Sequence, residues 1–292
     1  MLLQSLLRPV LTPLMRGMFD APIASSAAWS PLALWPDGIA TPGMWISPRD
    51  LTSQWADYTG TTPVVTPGTV ADSANPVGLA LDIRAGATVL TDPGNHMLQS
   101  TSAARPLMSA YDGQTLGPGD TYSSTGYPIF QKYDGTDDGM ATAAFPASTL
   151  INGMDCMIPV RRDSAAACVA GLYNGVADAT KFFGMAESAS GSGCVGSGAG
   201  TPTVWVDNTQ LTGGTAVTRG TLHTALTVGD WHILEFRNLD LSTWAAAGFG
   251  LYTSYLFTGA RGDIMLYPST DSTADKDAAR QYLADYYGVT LP

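Results

Sequence analysis

The stretch Gln131-Lys132-Tyr133-Asp134-Gly135-Thr136-Asp137-Asp138-Gly139-Met140 decides how the chain reads. A short run of strand type enters it, Asp134-Gly135 turns it, and the alternating segment Met140-Ala141-Thr142-Ala143-Ala144-Phe145 leaves it. Asp-Gly supplies the left-handed backbone that a tight reversal needs. Downstream, strand-like runs alternate with turns at 155–161, 167–173, 181–186, 203–206, 221–226, 231–238, 248–257 and 263–267. Short strands at regular spacing predict a mainly β chain, an antiparallel β-sandwich of jelly-roll type. In the clearest run, 231–238, Trp231 and Ile233 sit on one face and His232 on the other. The single predicted helix spans 273–287. Ser272 is placed to cap it, Asp275 completes a capping box, and Gly288 ends it. Ala279, Tyr282, Leu283 and Tyr286 form the face expected to lie on the sandwich.

Composition agrees. Of 292 residues, 45% are hydrophobic and 13% charged, with 32 Gly and 19 Pro. That excludes a helical bundle or coiled coil. The acidity comes almost wholly from Asp, which suits turns, since Glu occurs only at 187 and 235. A formal charge of −11 argues against a nucleic-acid partner, which needs clustered Lys and Arg. Cys156, Cys168 and Cys194 have neither disulfide-framework nor zinc spacing and read as free buried thiols. No apolar run is long enough to span a bilayer, so no membrane insertion is expected.

Upstream, residues 2–19 carry two apolar rows at four-residue spacing. Leu2, Leu6, Val10, Leu14 and Met18 make one; Leu3, Leu7, Leu11, Met15 and Phe19 make the other. Pro9 and Pro13 prevent a continuous helix. A secretory leader is opposed by Arg8-Pro9, which splits the apolar region, and by Arg16. Residues 1–42 therefore read as a docking arm that gains its order from a partner subunit. Trp29, Trp35, Trp45 and Trp55 read as plugs onto the core, with an assembly surface as the alternative.

Between 43 and 107 an ordered grammar appears. Trp45-Ile46-Ser47-Pro48-Arg49-Asp50-Leu51 leads to Asp57-Tyr58-Thr59-Gly60-Thr61-Thr62-Pro63-Val64. Then come Pro76-Val77-Gly78-Leu79-Ala80-Leu81-Asp82, Gly94-Asn95-His96-Met97-Leu98-Gln99 and Arg105-Pro106. Together with the turn Tyr133–Asp138, with Tyr where Phe is usual, this resembles a segment of tailed-bacteriophage and prophage virion proteins. These carry a concanavalin A-like, laminin-G-like sandwich. The resemblance covers roughly 43–291. It implies a concanavalin A-like domain over 43–292, with a loop-rich lead-in (43–130) before the sandwich core and C-terminal helix (131–292). It further implies a virion location, other virion proteins and copies of the chain itself as partners, and contact with host surface glycans. A tail-associated or fibre-type protein is the expected role, a decoration protein of head or tail the alternative.

No catalytic constellation stands out. A sandwich glucanase needs paired carboxylates, and neither Glu187 nor Glu235 has a second one beside it on a strand, so no enzyme is expected. A polysaccharide-degrading enzyme using an Asp pair is the weaker alternative. His96, His223 and His232 lie in no nucleophile or metalloprotease motif. The Gly/Ser-rich run 191–200 reads as a flexible turn, not a phosphate loop. Asp134, Asp137 and Asp138 are the candidate metal ligands. Calcium wants six or more oxygens, so the expectation is no cofactor, with these carboxylates fixing the turn. Trp205, Asp207 and Asn208 are the candidate carbohydrate contacts, with core packing of Trp205 the competing reading.

Overall fold

The computed structural model describes residues 29–64, 76–84, 86–92, 94–110, 128–142, 150–175, 178–211 and 217–292. The lead-in contributes β1 (Met44–Ile46), β2 (Gln54–Trp55), β3 (Leu79–Ala80), β4 (Met97–Leu98) and β5 (Leu107–Ala110). There follow β6 (Ile129–Asp134), β7 (Met140–Thr142), β8 (Asn152–Arg162), β9 (Cys168–Val169), β10 (Met185–Ala186), β11 (Thr203–Val206) and β12 (Thr209–Gln210). After helix α1 (Arg219–Ala225) come β13 (Trp231–Asp240), β14 (Gly248–Phe249), β15 (Leu251–Tyr252), β16 (Tyr255–Leu256), β17 (Thr258–Arg261), β18 (Ile264–Pro268) and helix α2 (Thr273–Tyr287).

Two antiparallel sheets face each other. The larger runs β12-β11-β13-β8-β17-β6-β5, with β18 also on β8 and β1 on β18; the smaller runs β14-β7-β4-β3-β2. The period of two along each strand sorts the side chains of the large sheet. Met154, Cys156, Ile158 and Val160 of β8, Leu234 and Phe236 of β13, and Ile264 and Leu266 of β18 enter the core between the sheets. Met157, Trp231, Ile233, Met265 and Tyr267 face the other way and pack beneath Ala279, Leu283, Ala284 and Tyr287 of α2. The central strands are thus covered on both faces, which is why 154–160 reads as near-continuous apolar sequence.

Helix α2 matches its sequence signals. Ser272 accepts from the Asp275 amide at 3.1 Å, and Gly288 ends the helix in the left-handed region at φ 70°. Its hold on the sheet is partly ionic. Arg280 reaches Glu235 of β13 at 2.9 Å, and Lys276 lies 2.8 Å from Asp155 of β8. Arg49 sits over the rings of Tyr282 and Tyr286 and pairs with the buried Asp263 at 3.2 Å.

Several expectations need correction. Residues 221–226 are not a strand: 221–225 lie in α1 and Leu226 is its C-cap. Thr218 caps it by accepting from the Thr221 amide, and Leu222 and Leu226, one turn apart, both enter the core. So α2 is not the only helix; the threonines disguised a helical spacing. The run 248–257 is broken into β14, β15 and β16 by positive φ at Gly250 (95°) and Thr253 (51°). The lead-in is no mere loop, because β2, β3 and β4 supply three of the five strands of the small sheet. Residues 29–42 pack on the domain: Trp35 stacks on Trp45 and donates to the Leu266 carbonyl, and Trp29 donates to Asp275 of α2. The Gly/Ser run is packed too, with Cys194 and Ala199 fully buried. The three cysteines are free and buried, as expected.

Candidate functional site

The site is a groove of about 580 Å³ on the outer face of the small sheet. Leu98 of β4 and Ala141 of β7 are paired in register there. Their neighbours Met97 and Met140 enter the core, so alternation turns Leu98 and Ala141 outward. The hairpin residues Leu251, Tyr252 and Thr253 line it beside Tyr173, as do Gln99, Ser100 and Gly139. The Tyr173 and Tyr252 ring centroids are 5.3 Å apart, and the Tyr252 hydroxyl donates to the Asp178 carbonyl at 2.6 Å. Gln99 Nε2 donates to the Gly139 carbonyl at 2.7 Å, while Arg105 donates to the carbonyls of Gln99 and Ser100. That rim is therefore fixed. No Lys, Arg, His, Asp or Glu lines the groove among the described residues.

Gly139 joins the groove to the Asp-Gly turn. Oxygens of Asp134, Asp137 and Asp138 lie within 4.8 Å of one another, an arrangement that can hold a hard cation. The turn also uses them itself. Asp138 accepts from the Asp134 amide at 2.8 Å, and Asp134 accepts from the Thr136 amide at 2.7 Å. Burial pushes the Asp138 carboxyl up to about 7, and the Asp134 and Asp137 charges add to this despite the amide bond. Of the three, Asp134 and Asp138 make the turn-fixing bonds expected of them.

Trp205, Asp207 and Asn208 come together at the β11–β12 hairpin. Asp207 and Asn208 have φ of 49° and 65°, the two left-handed residues of a tight hairpin turn. The Asp207 carboxylate accepts from the Ile233 amide at 2.7 Å and contacts His232 Nδ1 at 2.6 Å. The half-buried Trp205 ring lies under the Arg237 guanidinium at 3.9 Å and donates to Thr203. One ring face and the carboxylate are already engaged within the protein.

The motif residues upstream are framework. Asp57 accepts from Thr59, Thr61 and Thr62; although burial opposes it, these bonds hold its carboxyl well below the usual range. Buried Asp82 accepts from the Trp45 and Asn95 amides and from Arg84, while His96 Nδ1 accepts from the Asp82 amide. Asp155 and Glu235 lie on neighbouring strands of the large sheet, the kind of carboxylate pair a sandwich hydrolase uses. Both are buried under α2 and engaged by its cations. The sequence reading missed this pair because Asp155 and Glu235 lie 80 positions apart in the chain. It missed the groove because its lining comes from four separate stretches of the chain, 98–100, 139–141, 173–175 and 251–253.

No family model, curated protein or solved structure matches the chain. The arm residues Leu2, Leu3, Leu6, Leu7, Val10, Leu11, Leu14, Met15, Met18 and Phe19 lie outside the described residues.

Proposed function

We propose that the chain is a bacteriophage virion protein, tail-associated or of fibre type, that docks by its N-terminal arm and binds host surface glycans through the groove beside Asp138. The groove carries the reading. Small-ligand sites are concave, mostly apolar, and about 300–1,000 Å³ in volume. This one offers Leu98, Ala141 and Leu251 to the apolar face of a sugar ring, and the Ser100 and Thr253 side chains to its hydroxyls. With no cation among its described lining residues and a net charge of −11, it suits an uncharged glycan.

The layering supports the docking half. Trp29, where the described chain begins, lies on α2, and α2 covers the face of the large sheet turned away from the small one. The groove is on the far side of the small sheet. A subunit anchored by residues before 29 would present the groove outward. The ordered motifs of 43–107 support the virion assignment, with assembly in the bacterial cytoplasm and other virion proteins as partners. Capture of Asp155 and Glu235 beneath α2 supports a non-catalytic role. A second reading, a decoration protein without ligand, draws support from the framework role of the motif residues.

Glycan-array binding and host-cell adsorption test the reading. Leu251→Asp, placed on an exposed wall, is expected to weaken binding about tenfold or more, since it puts an unpaired charge against the ligand. Trp205→Ala is expected to leave binding unchanged. The opposite pattern would move the site to the β11–β12 hairpin, and no binding to any neutral glycan would leave the decoration role.

A further inference from the structure

Three buried polar atoms without a hydrogen bond gather under the start of α2: Asp155 Oδ2, the Tyr267 hydroxyl and Asp271 Oδ2. Asp155 and Tyr267 are register partners on β8 and β18, and both are fully buried. Lys276, in the first turn of α2, brings Nζ to 2.8 Å from Asp155 Oδ2 and donates to the Ser269 carbonyl at 2.6 Å. Close as it is, the amine does not approach Oδ2 along a hydrogen-bonding direction, for that oxygen has no hydrogen bond. Buried polar groups are normally satisfied, and a buried ion pair is costly unless its remaining valences are met.

We propose that Lys276 and Asp155 join in an intramolecular isopeptide bond that fastens α2 to the central strand of the large sheet. The ammonium first passes a proton to the Asp155 carboxylate within their contact, leaving a neutral amine and a neutral acid. The Nζ lone pair then attacks Cγ, and a C–N bond forms. The Cγ–Oδ2 bond breaks, and Oδ2 leaves as water with the proton it already carries and a second one from Nζ. Charge and atoms balance with no oxidant, reductant or external reactant. Asp271, whose Oδ2 is buried without a hydrogen bond in the turn that leads from Pro268 into α2, is the relay for the second proton. Burial lifts its carboxyl to about 6, opposed by Lys276 and reinforced by Asp275 and Asp155, so it exchanges protons near neutrality.

The product satisfies what the ion pair leaves unmet. Asp155 Oδ1 becomes the amide oxygen and keeps the Asn238 amide as donor at 2.8 Å. The remaining N–H on Nζ still faces the Ser269 carbonyl. The oxygen that departs is the one without a hydrogen bond. Lys276 and Asp155 side chains are 14% and 0% exposed, which protects the reacting pair from bulk water.

Denaturing mass spectrometry of the full chain tests this. The expected mass is that of the sequence less one water. A tryptic digest should then contain a branched species joining 133–161 to 262–280, uncut after Lys276. Lys276→Arg and Asp155→Ala should each restore the unmodified mass, and Asp271→Asn should lower the linked fraction severalfold. A wild-type chain at full mass overturns the proposal and leaves a plain ion pair. So does a water loss that maps to a succinimide at Asp134-Gly135 or Asp138-Gly139. Unchanged linkage in Asp271→Asn overturns the relay.

Discussion

Asp138 is 7% exposed and holds the reversal by accepting from the Asp134 amide. Its folded carboxyl titrates at about 7, above the ordinary value of 3.8. The folded state therefore binds more protons than the unfolded state between these values, and stability falls as pH rises from about 4 to about 7. Asp271, lifted to about 6, acts in the same direction. Thermal melts at pH 5 and pH 7.5 should show the higher Tm at pH 5, and Asp138→Asn, which keeps the accepting oxygen, should narrow the gap. Calcium at pH 7.5 should change Tm little. A rise of several degrees that Asp138→Asn abolishes would instead assign a bound cation. Gly250 is a second constrained residue. It has φ 95°, and a Cβ there would meet the Tyr133 ring at 2.6 Å. Gly250→Ala is expected to cost at least about 1–3 kcal/mol in denaturant unfolding, the range for a strained backbone conformation.

At the scale of elements, α2 and the central strands carry the fold. Glu235 is buried between Arg280 and Arg237, at 2.9 and 2.6 Å. Glu235→Ala removes the buried acceptor that Arg280 and Arg237 share and leaves Arg280 with Asp277 at 2.8 Å, so chemical denaturation should show a loss of about 1.5–3 kcal/mol, the range for hydrogen bonds to a charged group. Helix α2 was legible because capping is local: Ser272, Asp275 and Gly288 announce its ends without reference to the rest of the chain. Strand β13 was legible because Trp231 and Ile233 alternate with His232 at its start, although both its faces are covered. Helix α1 was not, since its threonines favour strands and only Leu222 and Leu226 mark its buried side. The strands β2, β3 and β4 were hidden by their length of two residues, too short to show alternation. The groove was hidden for a related reason. It is made where Leu98, Ala141 and Leu251 meet from three separate strands, and each alone looks like an ordinary core residue.

For the whole molecule, the two outer faces are unlike each other. One is sealed by α2 and the segment 29–49; the other carries the groove. Truncation separates the arm from the domain. Removing residues 1–28 should leave Tm nearly unchanged while abolishing incorporation into the virion or its oligomer. Removing residues 1–42 also deletes Trp35, which is 2% exposed and stacked on Trp45, so Tm should drop sharply. Equal Tm for the two truncations would place the domain boundary at 42 after all. Amide hydrogen exchange of the full chain, with and without a neutral glycan selected on the array, tests sugar recognition most directly. The account predicts slowed exchange confined to 98–100, 139–141 and 251–253. Protection centred on 205–210, or none at all at saturating glycan, would contradict it.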